Sequence, residues 1–182
     1  MEVWEILDKN GLPTGKTVER KRVCLSRGEY HLVVHIWILG SDGRVLIQRR
    51  SFLKPLMAGE WAAIGGSAVA GETSAEAARR ELLEEMGIET DTEELRLIKK
   101  MVRKSSILNI YLLCKDVATG DLVLQKEEVS EAKWVHRNKL RQMIKTGKFH
   151  NYGNEYFNAV FGAFDRKSAL RRRRKRYERR QK

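Results

Sequence analysis

The sequence predicts an α+β domain in which a mixed β-sheet is packed between helices. Three observations carry this expectation. Strand-like and helix-like segments are interleaved without a regular βαβ repeat. Asn-Gly and Asp-Gly dipeptides beside apolar runs mark turns and hairpins. One helix near the middle of the chain carries capping signals at both ends. The length of 182 residues suits one domain, and the 42% apolar share is that of a chain with a full core.

Taken in order, Val3–Leu7 reads as a strand that stops at the turn residues Asp8-Lys9-Asn10-Gly11, and Pro13-Thr14-Gly15 reads as further turn chemistry. Leu32 to Leu39 is rich in Val and Ile and reads as a buried strand. Ser41-Asp42-Gly43 then turns the chain into Arg44–Arg49, where Val45 and Ile47 share a face. Gly59 to Gly71 reads as a Gly- and Ala-rich connection. A helix follows from about Ser74 to Met86, with Thr73-Ser74-Ala75-Glu76 spaced as a capping box and Gly87 placed for a left-handed C-terminus. Leu95–Val102 and Leu108–Leu113 read as strands, Ala132–Val135 as a short one, and Asn138–Lys145 as a short helix. Phe157, Val160, Phe161 and Phe164 fall at i, i+3, i+4 and i+7, the apolar stripe of a C-terminal helix that serves either the core or an interface between two copies.

Charge divides the chain at residue 165. Arg166 to Lys182 holds eleven Lys or Arg against Glu178, so this stretch carries +10 of the net +12. We therefore expect a nearly neutral domain at 1–164 and a basic tail at 165–182. Blocks such as Arg171–Arg176 are commonly solvated ends, and nucleic acid is the partner they serve when they bind. Cys24 and Cys114 match no metal-ligand spacing and suit a reducing compartment. The first residues lack the pattern of a signal peptide, and no apolar run approaches the ~20 residues of a membrane span. A cytoplasmic location without membrane contact is the expectation.

The chemistry lies in Gly66-Ser67-Ala68-Val69-Ala70-Gly71-Glu72 and Arg80-Glu81-Leu82-Leu83-Glu84-Glu85-Met86-Gly87-Ile88. On a helix, positions 81, 84 and 85 present three carboxylates on one face. Like charges so placed repel, which suits a counter-cation, and hard oxygen donors suit Mg²⁺ or Mn²⁺. An ordinary solvated acidic helix has the same local spacing. Leu82, Leu83 and Met86 are expected to anchor the opposite side, and Arg80 to pair with Glu72.

The full spacing resembles the signature of the Nudix family: Gly, five residues, Glu, seven residues, then Arg-Glu-aliphatic-any-Glu-Glu-any-Gly-aliphatic. Gly66, Glu72, Arg80, Glu81, Glu84, Glu85, Gly87, Leu82 and Ile88 all match. Such a match arises by chance on the order of once in a billion windows. Tyr30–Arg50, Trp61, and Glu127-Glu128-Val129 leading to Trp134 extend the likeness. The resemblance implies an α/β/α sandwich with the signature as a loop-helix-loop. It also implies a divalent-metal-dependent hydrolase of a nucleoside diphosphate derivative or similar small organic diphosphate, and relatives that are often homodimers. Glu81, Glu84, Glu85 and the Gly65 carbonyl would hold the metal, Glu72 and Arg80 would form a supporting ion pair, and Glu127 or Glu128 would supply a further acid. Arg49, Arg50 and Lys54 are candidates for holding phosphate, with a solvated basic loop as the alternative.

The N-terminal half also resembles isopentenyl-diphosphate isomerase, through the His31 strand and Gln48-Arg49-Arg50-Ser51 with Lys54. That enzyme needs a cysteine before the signature glycine and a metal-binding histidine after it. Gly65 and Ser67 stand there, so hydrolysis is the expected reaction. His31 and His35 read as strand or core histidines. An RNA-binding or RNA-end-processing role through the tail is the expectation of a different class.

Overall fold

The computed structural model describes residues 2–20 and 25–180, the last ten as backbone alone. Cys24 and the side chains of the Arg171–Arg176 block lie outside the described residues.

The chain opens with the hairpin β1 (Val3–Leu7) and β2 (Pro13–Glu19). The turn chemistry at Pro13-Thr14-Gly15 therefore sits inside a strand, which an exposed two-stranded ribbon tolerates because its outer edge has no ladder to break. The main sheet has seven strands. β3 (His31–Leu39) lies at its centre, antiparallel to β4 (Val45–Arg50) and parallel to β8 (Ser106–Leu113). β7 (Arg96–Val102) flanks β8, β5 (Trp61–Ala62) and β9 (Val129–Val135) pair with β4, and β6 (Ile64–Ser67) pairs with β3. The region read as a loose connection thus holds two short strands. Glycine weakens a strand signal, yet Gly65 and Gly66 pair with His35 and Val34.

The sheet forks, and the fork positions the site. β4 meets β3 only at Ile38–Leu46 and Leu39–Val45, while β6 takes the same edge of β3 from Val33 to Ile36. Ala63 lies at the fork between β5 and β6. Its backbone groups are satisfied by side chains: Gln48 Nε2 donates to its carbonyl (3.1 Å), and its amide donates to Tyr152 Oη (3.3 Å).

Helices cover both faces. α1 (Ser74–Met86) packs Ala77, Ala78, Leu82 and Met86 against Val34, Ile36, Ile38 and Leu46. On the other face, α2 (Arg137–Lys145) and α3 (Asn154–Arg180) bring Leu140, Met143, Tyr156, Val160 and Phe164 against Trp37, Leu39 and Val45. The Phe157–Phe164 stripe is thus in this chain's own core. α3 runs on past the charge boundary at residue 165 to Arg180, so that boundary falls inside a helix. Leu122–Leu124, apolar as a strand would be, follows a short 3₁₀ turn and lies in no strand.

Both ends of α1 form as expected. The Thr73–Glu76 capping box is closed, and Gly87 turns left-handed (φ 68°), its amide donating to the Leu83 carbonyl at 2.9 Å. One anchor is corrected. Leu82 is fully buried, but Leu83 is 46% exposed, because one residue step of ~100° carries it off the core-facing stripe. Leu82→Ala is expected to cost about 2–5 kcal/mol of unfolding free energy, and Leu83→Ala about 0.5 kcal/mol or less, in urea titrations. The reverse ranking would contradict this packing.

Candidate active site

α1 presents its acidic face to the glycine loop. Glu81 and Glu85 are 7% and 4% exposed, a rare state for carboxylates lacking full compensation. Gly66 makes this possible: a Cβ added there would collide with the Glu81 carboxylate. Gly65 stands at φ 150°, a conformation that favours glycine, and a Cβ there would strike the Val34 carbonyl.

Arg80 organises the rim. Its Nε and Nη2 donate to Glu72 at 2.7 and 3.1 Å, and Nη2 also donates to the Ser67 carbonyl at 3.0 Å, tying loop to helix. Nη1 is shared by Glu81 and Glu84 at 3.0 Å each. The Glu72–Arg80 pair expected from the sequence is present, and Arg80 also draws Glu84 to the exposed side. Among the described residues, no three His, Cys, Asp or Glu side chains converge closely enough to hold a metal as they stand.

Burial dominates the electrostatics of the pair. Desolvation pushes Glu81 up to about 7, partly offset by Arg80, and pushes Glu85 up to about 8, with Glu81 and then Glu128 adding to the effect. Gln48 Nε2 reaches Glu85 at 3.3 Å, while Gln48 Oε1 is enclosed without a partner. This is a cluster of hard oxygen atoms carrying more negative character than its surroundings neutralise. The donor set fits a divalent cation, which would relieve both the burial of the carboxylates and their mutual repulsion.

The remaining candidates separate. Glu128 pairs with Lys54 at 2.7 Å and lies near enough to raise Glu85, whereas Glu127 is exposed. Arg50 donates through Nε to the Leu56 carbonyl (3.2 Å), and its charge acts on Glu85. Arg49 turns to the other side, donating to the Gly59 carbonyl (2.9 Å) and lying 4.9 Å from the Phe52 ring centre. His31 stacks on Trp4 at 4.0 Å, its Nδ1 3.0 Å from the Ser105 carbonyl. His35 is held neutral, its pKa lowered to about 3 by burial and by the charges of Arg103, His150 and Arg50. Sequence reading overlooked Gln48 as a site residue, although an amide directly after the apolar run Val45–Ile47 was the available signal. Arg103 and Tyr152 gave no such signal.

A pH dependence of stability follows. In metal-free protein Glu85 is raised from 4.5 to about 8, so folding favours its neutral form. That contribution is fully present below about pH 4.5 and is lost as pH rises through about 8. Glu85→Gln should therefore melt close to wild type at pH 5 and above it at pH 8. A difference that stays constant between these two pH values would contradict the burial of an ionisable group at this position.

Comparison with known proteins agrees with this geometry. The NUDIX domain profile matches residues 29–154. A Nudix hydrolase of Listeria monocytogenes is 38% identical over 161 residues, covering 87% of this chain and 95% of that protein. An isopentenyl-diphosphate Δ-isomerase of Photorhabdus laumondii is 27% identical over 147 residues, with 79% and 82% covered. Among solved structures, a Deinococcus radiodurans protein has a TM-score of 0.71 at 23% identity, with 87% of this chain and 98% of that one covered. The NUDIX domain of Shewanella oneidensis NrtR, solved with ADP-ribose, has a TM-score of 0.53 at 18% identity, with 69% and 82% covered. At such identities these structures speak for the fold alone. Nudix hydrolases generally require a divalent metal, in keeping with the donor set on α1. With the profile spanning most of the chain and a close relative matched over nearly its whole length, this chain belongs to the Nudix family and is a hydrolase acting on phosphoanhydride bonds.

Proposed function

We propose that this chain is a pyrophosphohydrolase that cleaves a nucleoside diphosphate derivative or a similar small organic diphosphate, using Mg²⁺ or Mn²⁺. The observation that carries the reading is the buried pair Glu81 and Glu85, whose charge the surroundings do not neutralise. Glu81, Glu85 and the Gly65 carbonyl would hold the ion, joined by Glu84 once it leaves Arg80, with Glu128 as the further acid. The ion would supply Lewis acidity toward phosphate oxygens and lower the pKa of a water molecule. Arg80 and Glu72 hold the glycine loop against the helix, so the acidic face is rigid before substrate arrives. Arg50 and Lys54 stand beside Glu85 and Glu128 and are the residues we assign to phosphate binding, whereas Arg49 faces away. In hydrolysis, a water oxygen forms the new bond to phosphorus and the bridging P–O bond breaks. The leaving phosphate keeps the electron pair, and the water proton passes to a carboxylate of this cluster.

The ligand of the NrtR NUDIX domain, ADP-ribose, is a nucleoside diphosphate derivative, so the fold is one that can hold a ligand of this class. Isomerisation of a prenyl diphosphate has less support. The thiol it needs would occupy residue 65, where the φ of 150° and the Val34 carbonyl leave no place for a side chain. A cytoplasmic setting suits the absence, among the described residues, of any helix long and apolar enough to cross a membrane.

Glu85→Gln should lower kcat on an active diphosphate substrate by about 100-fold or more, since a buried charge facing the reacting phosphate is lost. Circular dichroism should be unchanged. Wild-type turnover in this variant, measured with Mg²⁺, would remove the reading.

We further propose that the basic tail binds nucleic acid. Its support is a helix that runs on from the domain through residues 166–180, which carry +9. Arginine forks grip phosphate oxygens in pairs, and the attraction is released by salt. The full chain should bind RNA with log affinity falling linearly in log salt, and a chain ending at Asp165 should lose this binding while hydrolysing a small substrate equally well. Equal RNA binding by both forms would exclude the tail.

A further inference from the structure

The α3 side of the fork holds an arrangement that the acidic helix does not use. His35 stands opposite Gly65 in the β3–β6 register, and the alternation of β3 turns its side chain to the face of Trp37. There, Tyr156 Oη lies 2.9 Å from Trp37 Nε1 and 2.9 Å from His35 Nδ1. An indole N–H only donates, so the Tyr156 oxygen accepts from Trp37, and the phenol proton has His35 Nδ1 as its acceptor. Trp37 and Tyr156 are both 0% exposed, where a polar hydrogen without an acceptor would be costly. The relay therefore fixes the imidazole as the tautomer with its proton on Nε2.

Among the described residues Nε2 has no hydrogen-bond partner, and it is not one of the enclosed atoms. The enclosed, unpartnered side-chain atoms among the described residues are Trp4 Nε1, Gln48 Oε1 and Asn109 Oδ1. Two half-buried arginines stand near it. Arg103, just after β7, places its guanidinium 5.9 Å from the centre of the Tyr152 ring, and that ring meets His35 edge-on at 4.8 Å. Arg50 is felt by His35 on this side and by Glu85 on the other. Among the described residues neither arginine has an ion pair; the nearby carboxylate, Glu60, is bonded to His150 at 2.8 Å. A neutral donor of fixed direction near two cations that have no ion-pair contact among the described residues is the chemistry of an oxyanion site.

We propose that His35, Arg103 and Arg50 form a phosphate subsite, which holds the second phosphate of the diphosphate while the acidic face of α1 serves the phosphate under attack. The subsite rests on the diphosphate-hydrolase reading above. His35 acts in it as a hydrogen-bond donor, and Tyr156 is a positioning residue that acts through His35. Arg50 spans the two halves, and Tyr152 forms the wall between Arg103 and the fork.

The test uses the full chain without metal and methylenediphosphonate, a diphosphate analogue that cannot be hydrolysed, followed by calorimetry and by the ¹⁵N signals of His35. Wild type should bind the probe, with Nε2 protonated throughout and its signal shifted at saturation. Arg103→Ala should weaken binding about tenfold, as expected for one charge-assisted contact, and Arg103→Lys should restore part of it. Tyr156→Phe should let the proton distribute between the two ring nitrogens and weaken binding. Arg79→Ala, a lost cation on the exposed face of α1, should change nothing. Failure of wild type to bind, unchanged binding by Arg103→Ala, or His35 signals unmoved by saturating probe would each overturn the subsite. Glu85→Gln separates the two readings. It should keep probe binding while losing turnover, and full turnover in that variant would instead strike the hydrolase assignment.

Discussion

A carboxylate removed from water must be neutralised by a proton, by a partner or by a metal ion, and the Glu81–Glu85 pair forces that choice on this fold. The two groups lie one helical turn apart, both nearly sealed, with Arg80 as the cation in contact with Glu81 and an amide as the neighbour of Glu85. Everything around them serves to keep them there. Leu82 and Met86 fix the rotation of α1, the capping box and Gly87 fix its ends, and Gly66 gives up a side chain so that Glu81 can lie against backbone. Such a helix is poorly stabilised on its own account. In the proposed reading a dication would relieve this cost, and a rigid helix suits chemistry that depends on positioning and charge.

The fork in the sheet is the second constraint. Because β6 displaces β4 from the edge of β3, Gly65, whose backbone amide bonds Glu85, and the carboxylates of α1 lie on one side of a gap, while His35, Tyr152 and Arg103 lie on the other. Gln48 and Tyr152 satisfy the backbone of Ala63 from opposite sides, holding the gap open without an unpaired amide. The proposed substrate, with two phosphates, is bifunctional in the same sense, and the charge of Arg50 is felt by His35 on one side and Glu85 on the other.

Much of this was legible in the sequence because it is local. The seven fixed signature positions lie within 22 residues of chain, from Gly66 to Gly87, and the Glu72–Arg80 pair and both helix ends follow from spacing that survives folding. The same holds for β3 and β8, whose β-branched runs are buried from both sides. Short elements that tertiary pairing imposes were not legible. β6 is a strand because β3 offers it an open edge, not because Gly65 and Gly66 favour extension. Leu122–Leu124 has the composition of a strand, but its backbone is taken up elsewhere: Val123 donates to the Met86 carbonyl rather than to a neighbouring strand. Leu83 was misplaced because aliphatic character does not reveal which side of a helix a residue takes. His35 and Tyr156 are 121 residues apart, and no sequence pattern links a strand histidine to a tyrosine on the last helix.

The central claim is that the α1 carboxylates are partly protonated when metal-free and are the groups that receive the divalent ion. The direct measurement is proton release on titrating Mg²⁺ into metal-free protein at pH 7 in weak buffer, by pH-stat or by calorimetry in buffers of different ionisation enthalpy. With Glu81 near 7 and Glu85 near 8, binding must expel on the order of one proton per ion. Release close to that value, cut by more than half in Glu85→Gln with the share of Glu81 remaining, is the predicted result. Mg²⁺ binding with no proton released, or with release unchanged in Glu85→Gln, would contradict the account.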